Sequence, residues 1–398
     1  MVSIIRILDS LTSFGSKITP NFLKKWIFSF FLKTGLILKR TMSISRQIFL
    51  KIYLVEGKSK VTGERISLVY YSNFGQDIFP AFLANKLFSS NPTIKKIGRK
   101  PIFLLSKQVY FDSVDAIMVC CDRFFHRFVH KSGFFVFPYM VDMVLDTSVS
   151  LKYLVERNHI SQSAYSDIRN IKKYHYSFEI TTEIEKIKMF YYSMYQPMIY
   201  NRHEDSLLYT PPFVFFKYLR EIGYKLLLVK DNKFPISGVF FHESADELFV
   251  RYAGVYDGRF DLIQKGASAA HYYYSLLYAH QRGIDQLNVG AARPFFDDGV
   301  FRYKRKWGMK VIRADGFLNP EICGIFPSKD SQAIKKFLIE SPVIGLTNDN
   351  EQAGYFFFLK TDEITKRKKE EILEKNKTPG LEDYKFVSVD NFFLKKDY

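Results

Sequence analysis

Apolar positions along this chain change period several times, and each change marks an element. Three runs rich in bulky apolar residues, 224–230, 236–243 and 247–255, are separated by two short polar stretches, Asp231-Asn232-Lys233 and Ser244-Ala245-Asp246. That spacing predicts an antiparallel three-strand meander. Ahead of it, Pro211 and Pro212 open a helix that should end at Gly223, with Phe213, Phe216 and Leu219 lining one face. Behind it the pattern predicts a helix over 262–282 closed by Gly283, a short strand over 286–289, a short helix over 300–307 and a last strand over 309–314. Upstream, 61–146 alternates: strands over 66–71, 116–121 and 134–137, helices over 77–88 and 123–130. Residues 147–200 read as mainly helical around a strand over 176–181. Thr181 and Thr182 are placed to cap a helix whose apolar face is Ile187, Phe190, Tyr191 and Met194.

Composition narrows the class. With 398 residues, 47% hydrophobic and 25% charged, the chain can bury a large core, suits two or three domains and is not globally disordered. The net charge of +17 is concentrated: residues 1–110 hold 18 Lys+Arg against 4 Asp+Glu, and residues 111–398 hold 40 against 37. Within 22–33, lysines flank a bulky apolar stretch, the pattern of a helix lying in a membrane interface and equally of a helix packed on the body with a basic outer face. The apolar runs fall short of the roughly 20 residues a spanning helix needs, and no signal-peptide pattern is present. Three cysteines give no disulfide framework. A cytoplasmic protein is expected, or one on the cytoplasmic face of a membrane. The expected division is a basic aromatic segment (1–60), a first domain (61–200), a second domain (201–320) and a C-terminal extension (321–398).

The predicted order around the meander, α, β-β-β, α, β, α, β, is unlike a doubly wound sheet. The stretch 247–309, ELFVRYAGVYDGRFDLIQKGASAAHYYYSLLYAHQRGIDQLNVGAARPFFDDGVFRYKRKWGM, together with RNIKKYHYSFEIT, FYYSMYQPMI and VDAIMVCCDRFFHRFVHKSGFFVFP upstream, resembles the GNAT acyltransferase superfamily. More narrowly it is similar to the proteins related to the Fem-type aminoacyltransferases of bacterial cell-envelope and polysaccharide pathways. The resemblance implies an α+β fold of two tandem GNAT-like mixed sheets flanked by helices, the first degenerate. It also implies an N-acyltransferase that uses acyl-CoA or aminoacyl-tRNA as donor, without a metal, and an amine-bearing acceptor such as a lipid-linked or polysaccharide precursor.

Such a reaction needs donor and acceptor held together, an oxyanion stabilised and protons handled. The strand over 247–255 is expected to splay from the one over 286–289 and leave main-chain amides for the donor. The next turn, Gln264, Lys265, Gly266, Ala267 and Ser268, offers small residues and a positive helix end to its phosphates, although small residues would also suit tight packing on a sheet. The usual acetyl-CoA signature is out of register, with Ile263 three before Gly266. Ordinary relatives carry a tyrosine four residues before a glycine in the last helix; counting back from Gly308 gives Lys304. A lysine there resembles the Fem-type proteins and suits phosphate contact or proton transfer.

In the loop 290–299, Arg293 could bind an anion by its planar fork. Asp297 is a candidate general base, and Asp298 an N-cap. Arg251 and Tyr252 are candidate substrate contacts, and by period two only one of them can face a cleft. His126 and His130 lack a third metal ligand, adjacent Cys120 and Cys121 read as core, and the charges of 366–371 as a solvated face. One other reading competes with a transferase, a catalytically silent scaffold using the basic N-terminus to hold a partner at the membrane surface. A subsidiary one, compatible with a tRNA donor, has the basic N-terminus grip RNA, which predicts a steep salt dependence of tRNA binding.

Overall fold

The protein is described from a computed structural model over residues 44–73, 79–105, 113–155, 160–202, 210–312, 321–359 and 364–390. Two large mixed sheets carry the fold. The first contains β1 (Phe49–Lys58), β2 (Arg65–Ser72), β3 (Thr93–Pro101), β4 (Ala116–Asp122), β5 (Phe135–Pro138) and β13 (Glu321–Pro327), in the order β3-β1-β2-β4-β13-β5. The second contains β6 (Val141–Asp146), β7 (Ser177–Thr181), β8 (Lys225–Asp231), β9 (Phe234–Glu243), β10 (Glu247–Val255), β11 (Gln286–Ala292) and β12 (Lys310–Ile312), in the order β12-β6-β11-β10-β9-β8-β7. A third, small sheet, which the sequence pattern does not foretell, joins β14 (Val343–Leu346), β15 (Gln352–Phe358) and β16 (Tyr384–Ser388).

The two large sheets are laced together by an exchange. Each has one parallel pair, β2 with β4 and β10 with β11. Beside the second member of each pair lies an antiparallel strand from the other half of the sequence: β13 against β4, and β6 against β11. Sheet membership therefore crosses the expected boundaries at 200 and 320. Residues 141–146 and 177–181 complete the second sheet, and 321–327 sit inside the first, pairing with β4 along its whole length. Residues 49–58, expected in the N-terminal segment, are a strand of the first sheet, because Leu50, Ile52 and Val55 bury themselves in its two cores. Residues 1–43, which carry most of that expected segment, lie outside the described residues.

The second sheet is covered on both faces. On one face the helices α3 (Gln162–Lys173), α8 (Ala267–Gln281) and α9 (Gly299–Lys306) cover a core that includes Leu227, Phe241, Leu248 and Leu287. On the other, α4 (Ile184–Phe190), a π-helical segment (Tyr191–Tyr195), α5 (Gln196–Arg202) and α6 (Pro212–Ile222) bring Phe190, Tyr191, Tyr195 and Phe215 against Phe240 and Tyr252. The first sheet packs α1 (Ala81–Leu87), α2 (His126–Lys131) and α10 (Gln332–Glu340).

Three local expectations shift. Helix α1 starts at Ala81 because Pro80 occupies its N-cap with extended ψ. Phe215, not Phe213, is the buried anchor of α6: it is 0% exposed, and Phe213 at the solvent-facing first turn is 75% exposed. The helix expected over 262–282 is two, α7 (Phe260–Gln264) and α8, broken where Gly266 turns left-handed at φ 93°.

Candidate functional site

The site is built where β10 leaves β11. The two strands pair in parallel over only three residues, Glu247, Leu248 and Phe249 against Gln286, Leu287 and Asn288, and then part. Both carry an irregularity at the parting. In β10, Val250 faces Phe241 and Tyr252 faces Phe240 of β9, so Arg251 is an extra residue, a β-bulge. In β11 the register against β6 shifts between Asn288 and Ala291. Past the third pair the facing backbones no longer pair with one another, which is the chemistry an acyl donor can use.

Side chains fix this opening from both ends. Asn288 Nδ2 donates to Glu247 Oε1 at 2.8 Å, tying the last paired residue of β11 back to the first of β10, and Asn288 Oδ1 accepts from Gly290 N at 2.8 Å. Gly290 holds φ 74°, a left-handed turn that glycine takes at no steric cost, and a Cβ there would stand 3.7 Å from Val250 O across the opening. Lys304 then reaches up from α9, and its Nζ donates to Gly290 O and Ala291 O, both at 2.9 Å. The shift of β11 is thus held through its amide by Asn288 and through its carbonyls by Lys304.

Lys304 is only 3% exposed. Burial pulls its pKa from the usual 10.5 down to about 7, opposed by the nearby charges of Asp142 and Asp298. An amine has two N–H groups and an ammonium three. With both carbonyls satisfied, the remaining position on Nζ is a lone pair in the neutral form and a donor in the charged form, and both forms coexist near neutral pH.

The other predicted residues separate into groups. Gln264 and Lys265 are exposed, and Lys265 borders a groove of about 510 Å³ shared with Lys233, Phe234 and Arg259. Gly266, Ala267 and Ser268 are buried, and a Cβ on Gly266 would meet Asn170 and Asp167 of α3. Tyr252 turns into the aromatic core, its ring 5.0 Å from Phe215 and 5.2 Å from Tyr195. Arg251 stays outside on the bulge and donates from Nε to the Tyr252 hydroxyl at 3.1 Å. Arg293 and Asp297 meet the first sheet's layer. The Arg293 guanidinium lies 4.1 Å from the Phe82 ring and 4.8 Å from that of Tyr139, and Asp297 pairs with Lys86 at 2.7 Å. Their loop also bonds to the third sheet's first strand and the residue before it, Ile344 N donating to Pro294 O and Phe296 N to Pro342 O. Asp298 caps α9 as expected, accepting from Phe301 N at 2.8 Å.

Sequence reading passed over two features. Asn288 carries a recognisable signal, an Asn two residues before a Gly, the pattern of a side chain bonding its own backbone two residues on. The π-helical segment carries a weaker one. Gly254 of β10 lets that segment's main chain lie directly on the sheet, since a Cβ there would stand 2.5 Å from Met194 C. Between α8 and α9, Tyr272 stacks on Trp307 at 6.2 Å and touches Tyr303 at 5.3 Å, closing the helix layer beside Lys304. Among the described residues, no group of three or more His, Cys, Asp or Glu is arranged to hold a metal ion, and no helix is long and apolar enough to cross a membrane.

No family model matches the chain, and no curated protein does. Solved structures to which it is similar include FemX, at 12% identity over 71% of this chain and 89% of that one, with a TM-score of 0.37. L-PGS from Bacillus licheniformis matches at 11% identity over 71% of this chain and 86% of that one, TM-score 0.35. A GCN5-related N-acetyltransferase from Anabaena variabilis matches at 9% identity over 77% and 71%, TM-score 0.29.

Proposed function

We propose that the protein is an N-acyltransferase that moves an acyl or aminoacyl group from a thioester or an aminoacyl-tRNA ester to an amino group. One observation carries this reading: the central parallel pair of the second sheet parts after three residues, and buried side chains hold it parted. Main-chain groups past the parting are placed to bond the donor's acyl arm, and bonds that strengthen as charge develops on the carbonyl oxygen lower the barrier. Lys304 positions the shifted part of β11 through its two carbonyl bonds. With a pKa near neutrality it is also suited to accept the proton the attacking amine gives up and to return it to the departing thiolate or ribose oxygen. Asp297, held by Lys86, serves in this reading as a fastener between the sheets. The acceptor proposed is a cell-envelope amine such as an amino sugar on a lipid carrier, the class the sequence resemblance implies.

The test offers acetyl-CoA and charged tRNA separately to the purified protein with an amino-sugar acceptor. Transfer from one donor that drops on Lys304→Ala substitution, with the fold retained, supports the reading. Binding of neither donor removes it. The burial of Gly266, Ala267 and Ser268 beneath α3 favours a second reading, a GNAT-shaped scaffold without activity, which predicts that a Lys265, Arg293 and Lys304 triple substitution still complements a deletion strain.

A further inference from the structure

One corner of the first sheet, remote in sequence from the parted strands, exposes large apolar side chains among cations. Strand β3 is an edge strand whose nine residues include Lys95, Lys96, Arg99 and Lys100 and no acid. Its register against β1 passes from Gly98 opposite Ile52 to Lys96 opposite Tyr53, so Ile97 is bulged outward and 45% exposed. At the end of the same strand pair, Ile102 N donates to Ile48 O at 2.7 Å and Phe49 stands opposite Pro101, so Phe103 and Leu104 follow directly on the strand end that Phe49 pairs with. Phe103 and Phe124 both lean on the buried ring of Phe125, at 6.3 and 5.2 Å, yet are 53% and 68% exposed; Phe49 and Leu104 are 49% and 41% exposed. Arg99 lies over the Phe49 ring at 6.0 Å, and Arg127 and Lys131 are exposed on the helix that follows Phe124.

Lysines on an edge strand discourage pairing with another chain, which accounts for the cations and not for the rings. An RNA partner would use the cations and could stack a phenylalanine, but Leu104 and Ile97 have no face for a base. A lipid bilayer with anionic headgroups accounts for both: bulky apolar side chains enter the headgroup region while Lys and Arg lie on the phosphates. The chain that leads into this corner has the same character. Residues 1–43 hold seven Lys+Arg against one acid, and β1 begins at Phe49.

We propose that this corner is a docking surface for an anionic bilayer, with Phe103, Leu104 and Phe124 inserted and Lys95, Lys96 and Arg99 on the lipid phosphates. The proposal stands apart from the transfer reaction and survives its failure. The test uses full-length protein in flotation with vesicles of phosphatidylcholine alone and of phosphatidylcholine mixed with phosphatidylglycerol. Binding is expected on the mixed vesicles only. With each surface cation contributing on the order of a few-fold in affinity, the Lys95→Glu/Lys96→Glu double variant should weaken it at least about tenfold. Phe103→Ser/Phe124→Ser should remove the binding that survives high salt, and Phe124→Trp should show a blue-shifted emission on the mixed vesicles. These side chains are exposed, so thermal midpoints matching that of the parent establish that the variants are folded. Undiminished binding by both double variants would assign the membrane contact to residues 1–43 and overturn the proposal. So would absence of vesicle binding, or tRNA binding that the lysine variant abolishes without any vesicle association.

Discussion

The two parallel strand pairs are the same element built to opposite ends. In the first sheet β2 and β4 stay paired over five residues, from Leu68 opposite Ala116 to Ser72 opposite Cys120, and every residue of β4 is buried. The β4 strand then pairs with β13 over seven residues without a shift, and Cys120 and Cys323 touch across that pair, their sulfurs 3.4 Å apart. In the second sheet the pair opens after three residues, glycine replaces side-chain bulk at the turn, and a lysine stands under it. The first pair uses its backbone on itself and encloses apolar core. The second parts early, and a buried, costly amine bonds two carbonyls of the shifted strand. That contrast gives physical content to calling the first unit degenerate: its centre is closed.

The strongest way to break the contrast is to remove Lys304. Lys304→Met keeps the volume and leaves two carbonyls unpaired. Transfer should fall at least roughly a hundredfold, the scale of a lost general base, with the fold retained. The same variant has a signature in stability. Between about 7 and 10.5 the unfolded chain keeps a proton on this lysine that the folded chain has released. The parent should therefore gain stability as pH rises through that window, by up to roughly 1.4 kcal/mol per pH unit from this residue, and should be flat with respect to it below 7. Denaturant midpoints of parent and variant from pH 7 to 10 should diverge accordingly.

A smaller effect on chemistry and a larger one on packing is expected from Gly254→Leu. The new side chain would meet the main chain of Met194 and Tyr195 within 2.6 Å, costing about 1–3 kcal/mol in a thermal melt. Asn288→Leu leaves the Gly290 amide and the Glu247 carboxylate without their partner, a loss of about 1–3 kcal/mol. Its sharper consequence is looser positioning of the parted strand, read as a fall in kcat with little change in stability relative to that fall. The mildest change is Asp297→Asn. The ion pair with Lys86 is half-exposed and worth at most about 1 kcal/mol, and transfer should stay within a few-fold of the parent. A collapse of activity in this variant would restore Asp297 as the base.

What could be read from the sequence follows the range over which each signal acts. The meander β8 to β10 was legible because its turns are local: Asn232 takes φ 55° in the first, as an Asn in a tight turn does. The place of Lys304 in the last turn of α9 was legible by counting from Gly308, since the helix ends where its glycine says it does. The exchange of β6 and β13 was not, because their partners lie more than a hundred residues away and an apolar run does not say which sheet will take it. Phe215 was missed for a subtler reason. The apolar stretch 213–216 fits two phases of a helix, and only the aromatic cluster of Phe190, Tyr191 and Tyr195 on the neighbouring helices selects the phase that buries Phe215. The partners of Arg293 and Asp297, Phe82 and Lys86, were not legible because they lie some two hundred residues away, where the loop meets the two sheets and the small third one.

The central claim, that the parted strands of the second sheet are the donor cleft, is tested most directly by backbone hydrogen exchange with and without donor. On addition of acetyl-CoA, or of charged tRNA, amides of 250–254 and 289–292 should exchange more slowly, and those of 116–122 in the closed first sheet should be unchanged. Exchange that neither donor slows at 250–254 and 289–292, or protection falling on 116–122 instead, would contradict it.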